Sequence, residues 1–100
     1  MSMDAMLVSE ARVETAMSRR YLAQLCKHFQ HKLPVSLTEA DGRIEFPAGV
    51  CTLNAEADAL VLRVTASDEA GLVSLEEVVA RHLERFAFRE KPEVGWRRAG

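Results

Sequence analysis

The sequence predicts an α+β protein: a β-α-β-β-β-β-α two-layer sandwich, with an antiparallel sheet carrying two helices on one face. Three observations carry that prediction. Apolar residues recur every second position from Val35 to Ala66, the period of a half-buried strand. Two flanking stretches instead place their apolar residues at helical spacing, so each needs a surface to cover its single greasy stripe. The strands follow one another through short turns, which is how antiparallel neighbours are joined.

Taken in order, residues 1–6 read as a frayed leader, and residues 7–98 as one α+β domain. From Ser9 to Glu14, Ala11 and Val13 alternate with Glu10, Arg12 and Glu14, a strand with one oily face. Thr15 or Ser18 is placed to cap a helix that runs to about His31. There Leu22, Leu25, Cys26 and Phe29 share a stripe, with Tyr21 at its margin. Arg20, Gln24, Lys27 and His31 lie opposite, and Pro34 stops the helix.

Val35 and Leu37 open the first strand of the meander. Asp41-Gly42 is the dipeptide of a two-residue hairpin turn, and Ile44 and Phe46 lie on the return strand. Pro47 and Gly49 mark a bulge, bend or edge. Cys51, Leu53 and Ala55 alternate in the next strand, and a turn near Glu56-Ala57-Asp58 leads to Leu60, Leu62, Val64 and Ala66. Ser67-Asp68-Glu69 caps the second helix, with Ser74 and Glu77 as a competing start. Its stripe is Leu72, Leu75, Val79, Leu83 and Phe86, reaching about Phe88, with Pro92 beyond. Glu93 to Arg97 is left for a short last strand.

Composition narrows the function classes. The 100 residues carry 13 Lys+Arg against 15 Asp+Glu, a formal net charge of −2, which excludes a globally basic, nucleic-acid-coating protein. Charge is uneven along the chain. Residues 12–32 hold five bases and one acid, residues 39–77 nine acids and two bases, and residues 81–100 six bases and three acids. The helices are therefore basic and the strands acidic, but no aromatic stacking set accompanies the basic stretches, so no nucleic-acid partner is expected. No apolar run approaches the roughly 20 residues of a membrane span. The N-terminus lacks the basic start and cleavage site of a secretory signal, and cytoplasmic location follows by elimination. Cys26 and Cys51 are expected as reduced core thiols.

The chemistry-bearing candidates are His28, His31, His82, Arg85 and Arg89. Cys26 and His28 lie about 200° apart on one helix, so they cannot grip one ion. His28 and His31, about 60° apart, form an i, i+3 pair. Two imidazoles alone make a weak zinc site, and no metal is expected. His82 sits at the edge of the second helix's stripe, with Arg85 and Arg89 following at i+3 and i+7. That arrangement suits an anion or carboxylate ligand. No phosphate loop, paired-carboxylate motif or activated nucleophile is legible, so an enzyme is disfavoured; its best form would use His82 as general acid and base. A homodimer joined at a sheet edge is a further expectation.

Arg20-Tyr21-Leu22, Cys26-Lys27-His28-Phe29-Gln30-His31-Lys32 and His82-Leu83-Glu84-Arg85-Phe86-Ala87-Phe88-Arg89-Glu90 together resemble a bacterial family, domain of unknown function 2218. Phe46, Gly49 and Cys51 fit the middle of the same pattern, and the resemblance spans roughly Ala11 to Trp96. Members occur alone, and beside or fused to siderophore-interacting flavoproteins that reduce ferric siderophores. The resemblance therefore implies an accessory role in iron handling, with such a reductase as partner. It brings no catalytic residues and no cofactor.

Overall fold

Alternation in the strands and 3.6-residue spacing in the helices produce the expected two layers. The computed structural model describes residues 6–99, in the order β1 (Leu7–Glu14), α1 (Ser18–Phe29), β2 (Val35–Leu37), β3 (Asp41–Phe46), β4 (Gly49–Ala55), β5 (Ala59–Ala66), α2 (Glu69–Phe86) and β6 (Arg97–Ala99). The leader expected over residues 1–6 falls, apart from the exposed Met6, outside the described residues. One antiparallel sheet contains all six strands in the order β2-β3-β4-β5-β1-β6. Among the described residues, no helix is long and apolar enough to cross a membrane.

Register explains why one face is oily. Ala11 and Leu53 flank Leu62 on either side, and Cys51 stands beside Val64. Strand residues two apart share a face, so these pairings stack the buried positions of β1, β4 and β5 into one patch. Leu22, Leu25 and Cys26 of α1 and Leu72, Leu75, Val79 and Leu83 of α2 close over it. Each leucine buried this way contributes about 1.5–3 kcal/mol relative to leaving it in water. The other face is polar, with Arg63 donating to Glu10 across β5 and β1 at 3.0 Å.

β1 pairs with β5, not with its chain neighbour β2. α1 therefore has to cross the sheet to deliver the chain to the far edge. Thr15 does not cap this helix. Its hydroxyl accepts from Met17 N, and Met17 takes the N-cap position with no side-chain bond. Ser18 instead donates to the Glu56 carbonyl, tying the start of α1 to the β4–β5 turn. At α2 the first of the two starts is used: Asp68 accepts from Gly71 N at 2.7 Å.

The hairpin turns differ from the expected ones in one place. Asp41 and Gly42 are not a turn; they are the first two residues of β3. The turn lies two residues earlier at Glu39-Ala40, where Thr38 N donates to Asp41 O at 2.8 Å and Asp41 N donates to Thr38 Oγ1 at 3.0 Å. Gly42 is needed for close approach: a Cβ there would lie 2.5 Å from Cys26 Sγ. Pro47-Ala48 is itself a two-residue hairpin turn, since Phe46 pairs with Gly49. A Cβ on Gly49 would run into the Thr65 carbonyl. The last strand falls at Arg97–Ala99, a few residues later than expected, along β1.

Candidate functional site

Phe29 ends the apolar stripe of α1, and Phe46 ends β3 on the helix-covered face. Their rings meet edge to face, with centroids 5.0 Å apart. His82 of α2 packs against Phe29 at 4.9 Å, and His28 of α1 packs against the same ring at 4.9 Å. The two imidazoles are then neighbours across the helix pair, with centroids 4.7 Å apart and planes tilted by 50°. Phe86 also meets His28, with centroids 5.7 Å apart. Two histidines on different helices thus share one aromatic cluster.

Hydrogen bonding sets the form of His82. Its Nδ1 lies 2.7 Å from the Val78 carbonyl one turn back. A carbonyl only accepts, so Nδ1 carries the hydrogen, and neutral His82 keeps a bare lone pair on Nε2. The ring of His28 has no hydrogen-bond partner among the described residues. Its pKa is lowered, first by packing away from water and then by the charges of His82, Arg85, Lys32 and His31. At neutral pH His28 therefore favours the uncharged form, which also offers one bare nitrogen.

Beside the two rings opens a groove of about 550 Å³ lined by His28, Phe29, His31, Lys32, Leu33, Phe46, Val78 and His82. That is the size and mainly apolar character of a small-molecule site with a few polar groups. Its lysine is unmatched. Arg12 is held by Glu14, Glu56 and Asp58, Arg43 by Glu45, and Arg98 by Glu69 and Glu76. Lys32 and Arg85 form no ion pair among the described residues.

The structure gathers three of the five candidate residues here. His28, His31 and His82 line the groove, whereas Arg85, exposed three residues beyond His82 on α2, is not among its lining residues. Arg89 is elsewhere. α2 ends at Phe86, so the i+7 row is broken, and Arg89 lies in the following turn with its guanidinium 5.8 Å from the Phe88 ring centroid. The apolar stripe also stops before Phe88, which is 64% exposed. Arg89 borders a second depression with Met17, Arg20, Tyr21, Phe86, Phe88 and Glu90. In it the hydroxyls of Tyr21 and Thr15 both donate to Glu90 Oε1, at 2.6 and 2.8 Å.

The sequence reading passed over Phe29, Phe46, Leu33 and Val78 as site residues because each also reads as core. Lys32 adjoins His31, and the run of bases at the end of α1 was the one local signal that pointed to it. Neither cysteine is placed as a nucleophile. Cys26 and Cys51 are both buried, and burial raises both thiols, Cys51 to about 12. Among the described residues, no three His, Cys, Asp or Glu side chains come together in a way that could hold a metal ion.

The site and fold are those of a small α+β protein with a ligand-sized groove between its helices and one sheet edge. The chain belongs to the bacterial family described as uncharacterized protein conserved in bacteria (DUF2218), whose model matches residues 10–97. It is similar to PA4090 from Pseudomonas aeruginosa, whose NMR structure superposes with a TM-score of 0.78 at 37% identity, over 91% of this chain and 95% of that one. No curated protein matches it.

Proposed function

We propose that this chain is a small cytoplasmic binding module that holds its ligand in the groove between α1 and α2, as an accessory to iron–siderophore handling. One observation carries the binding reading. Two imidazoles, one hydrogen-bonded through Nδ1 to the Val78 carbonyl, stand side by side in an apolar groove of about 550 Å³. Preformed aromatic walls with a few polar atoms favour holding a molecule over transforming one. The rival role for His82, general acid and base, finds less support. Its orienting partner is a backbone carbonyl, and among the described residues no carboxylate or hydroxyl bonds to either imidazole. The siderophore link rests on the company the family keeps. A siderophore-interacting flavoprotein reductase is the partner it names.

The test is a titration followed by backbone and imidazole NMR, using a gallium(III) tris-catecholate chelate to avoid paramagnetic broadening. Saturable shifts at His28, Phe29, Phe46 and His82, weakened about tenfold in His82→Ala, are the expected result. Unchanged titration curves in a folded His82→Ala protein would remove the groove from consideration.

A further inference from the structure

His28 stands on α1 and His82 on α2, so no spacing along one helix pairs them. The docking of the helices does, and it leaves the ring centroids 4.7 Å apart. A metal ion bonds an imidazole nitrogen at about 2.0–2.1 Å, which puts it about 3.2 Å from the ring centroid. Imidazoles at adjacent positions of a tetrahedral or octahedral ion then have centroids about 4.5–5.2 Å apart. The observed separation falls inside that interval.

The surroundings of the two rings suit the same role. His82 donates from Nδ1 to the Val78 carbonyl at 2.7 Å, which leaves Nε2 as a bare lone pair. Metal-ligating histidines use their second nitrogen in this way, because the bond fixes the tautomer and the ring direction and makes the free nitrogen more basic. His28 is exposed, and no hydrogen bond among the described residues holds its ring against turning a nitrogen toward the gap. His31 lines the groove as well, but it does not complete a set of three ligands. Among the described residues no aspartate or glutamate lines the groove, and Lys32 does. A bare dication would therefore meet repulsion and too few donors, whereas an ion that already carries anionic ligands avoids both. Imidazole suits copper, nickel and zinc, not the hard ions that prefer oxygen.

We propose that His28 and His82 clamp a partly chelated late transition ion of the copper, nickel or zinc class, supplying two adjacent ligands from two different helices. The groove of about 550 Å³ beside them leaves room for the chelating group that the ion brings. This goes beyond the binding reading above, because gallium tris-catecholate is coordinatively saturated and offers the imidazoles no open position.

The experiment titrates the whole chain, without an affinity tag, with nickel(II) nitrilotriacetate, whose four donor atoms leave two adjacent positions free. Calorimetry at pH 7.5 should show one-to-one binding. His28→Asn and His82→Asn should each weaken it about 100-fold, because the second bond of a clamp forms intramolecularly. His31→Asn, which removes a histidine lining the same groove, should change it less than about twofold. Circular dichroism checks that each variant is folded, and the exposed His28 keeps the test available should His82→Asn not fold.

No binding, or an affinity that either of the two key substitutions leaves unchanged, would overturn the clamp. Equal weakening by His31→Asn would also overturn it, since the imidazoles would then act as separate, adventitious surface ligands. Nickel binding without binding of the gallium chelate would keep this proposal and defeat the iron reading. Binding of the gallium chelate alone would keep the groove and defeat the clamp.

Discussion

Cys26 Sγ occupies the space that a side chain on Gly42 would require: a Cβ there would stand 2.5 Å from the sulfur, with Leu53 and Leu22 methyl groups at 3.5 and 3.8 Å. α1 thus lies directly on the backbone of β3. Gly42→Ala should destabilise the protein by about 1–3 kcal/mol, the cost of overpacking a filled core. Urea denaturation reads the value. Placing the same substitution in a Cys26→Ala background should make it cheaper, and an identical cost in both backgrounds would mean the two positions do not compete for space.

Glu90 joins the turn after α2 to the start of α1, because Tyr21 and Thr15 donate to one of its oxygens. Those two hydroxyls hold its carboxyl below the ordinary 4.5. A folded pKa below the unfolded one means that the stabilisation is present above pH 4.5 and lost as pH falls through the folded value. Tyr21→Phe should lower Tm at neutral pH and shallow its fall below pH 4.5. A Tm–pH curve parallel to that of the unaltered protein would deny the link.

His28 acts in the same sense as Glu90, but in a higher pH interval. Its folded pKa lies below 6.5, so the unfolded chain binds more protons through that interval. Stability should therefore fall as pH drops below 6.5 toward the folded value, and recover as pH rises. His28→Gln, which cannot take up a proton, should flatten this part of the curve in thermal melts from pH 7 to pH 5. A slope that survives the substitution would assign the effect to another group.

Asp68 satisfies a free amide at the start of α2 by accepting from Gly71 N. Asp68→Ala should cost about 1 kcal/mol, whereas Asp68→Asn should cost little, since Asn caps about as well. Chemical denaturation of both variants separates capping from charge: an equal loss in the two would make the negative charge the important property.

The residues of β5 show how far a sequence can be read. Leu60, Leu62, Val64 and Ala66 alternate in the chain and are all buried in the protein. The stripe of Leu72, Leu75, Val79 and Leu83 is equally plain and equally buried. Asp41-Gly42 shows the limit. Its turn chemistry is sound, but the glycine serves packing under α1, and a rule about neighbours in the chain has no access to a neighbour from another element. Arg89 lies off the row for a related reason, because the point where α2 stops decides whether an i+7 partner stays in line.

By itself the sequence determined which segments are strands and helices, their order, and which side of each is oily. All of these depend on the spacing of residues along one stretch of chain. Only the tertiary structure decided that β1 lies between β5 and β6, that His28 meets His82 over Phe29, and that Arg89 stands apart from them. Those are distances between elements, set by how two helices dock on one sheet, and no local period encodes them.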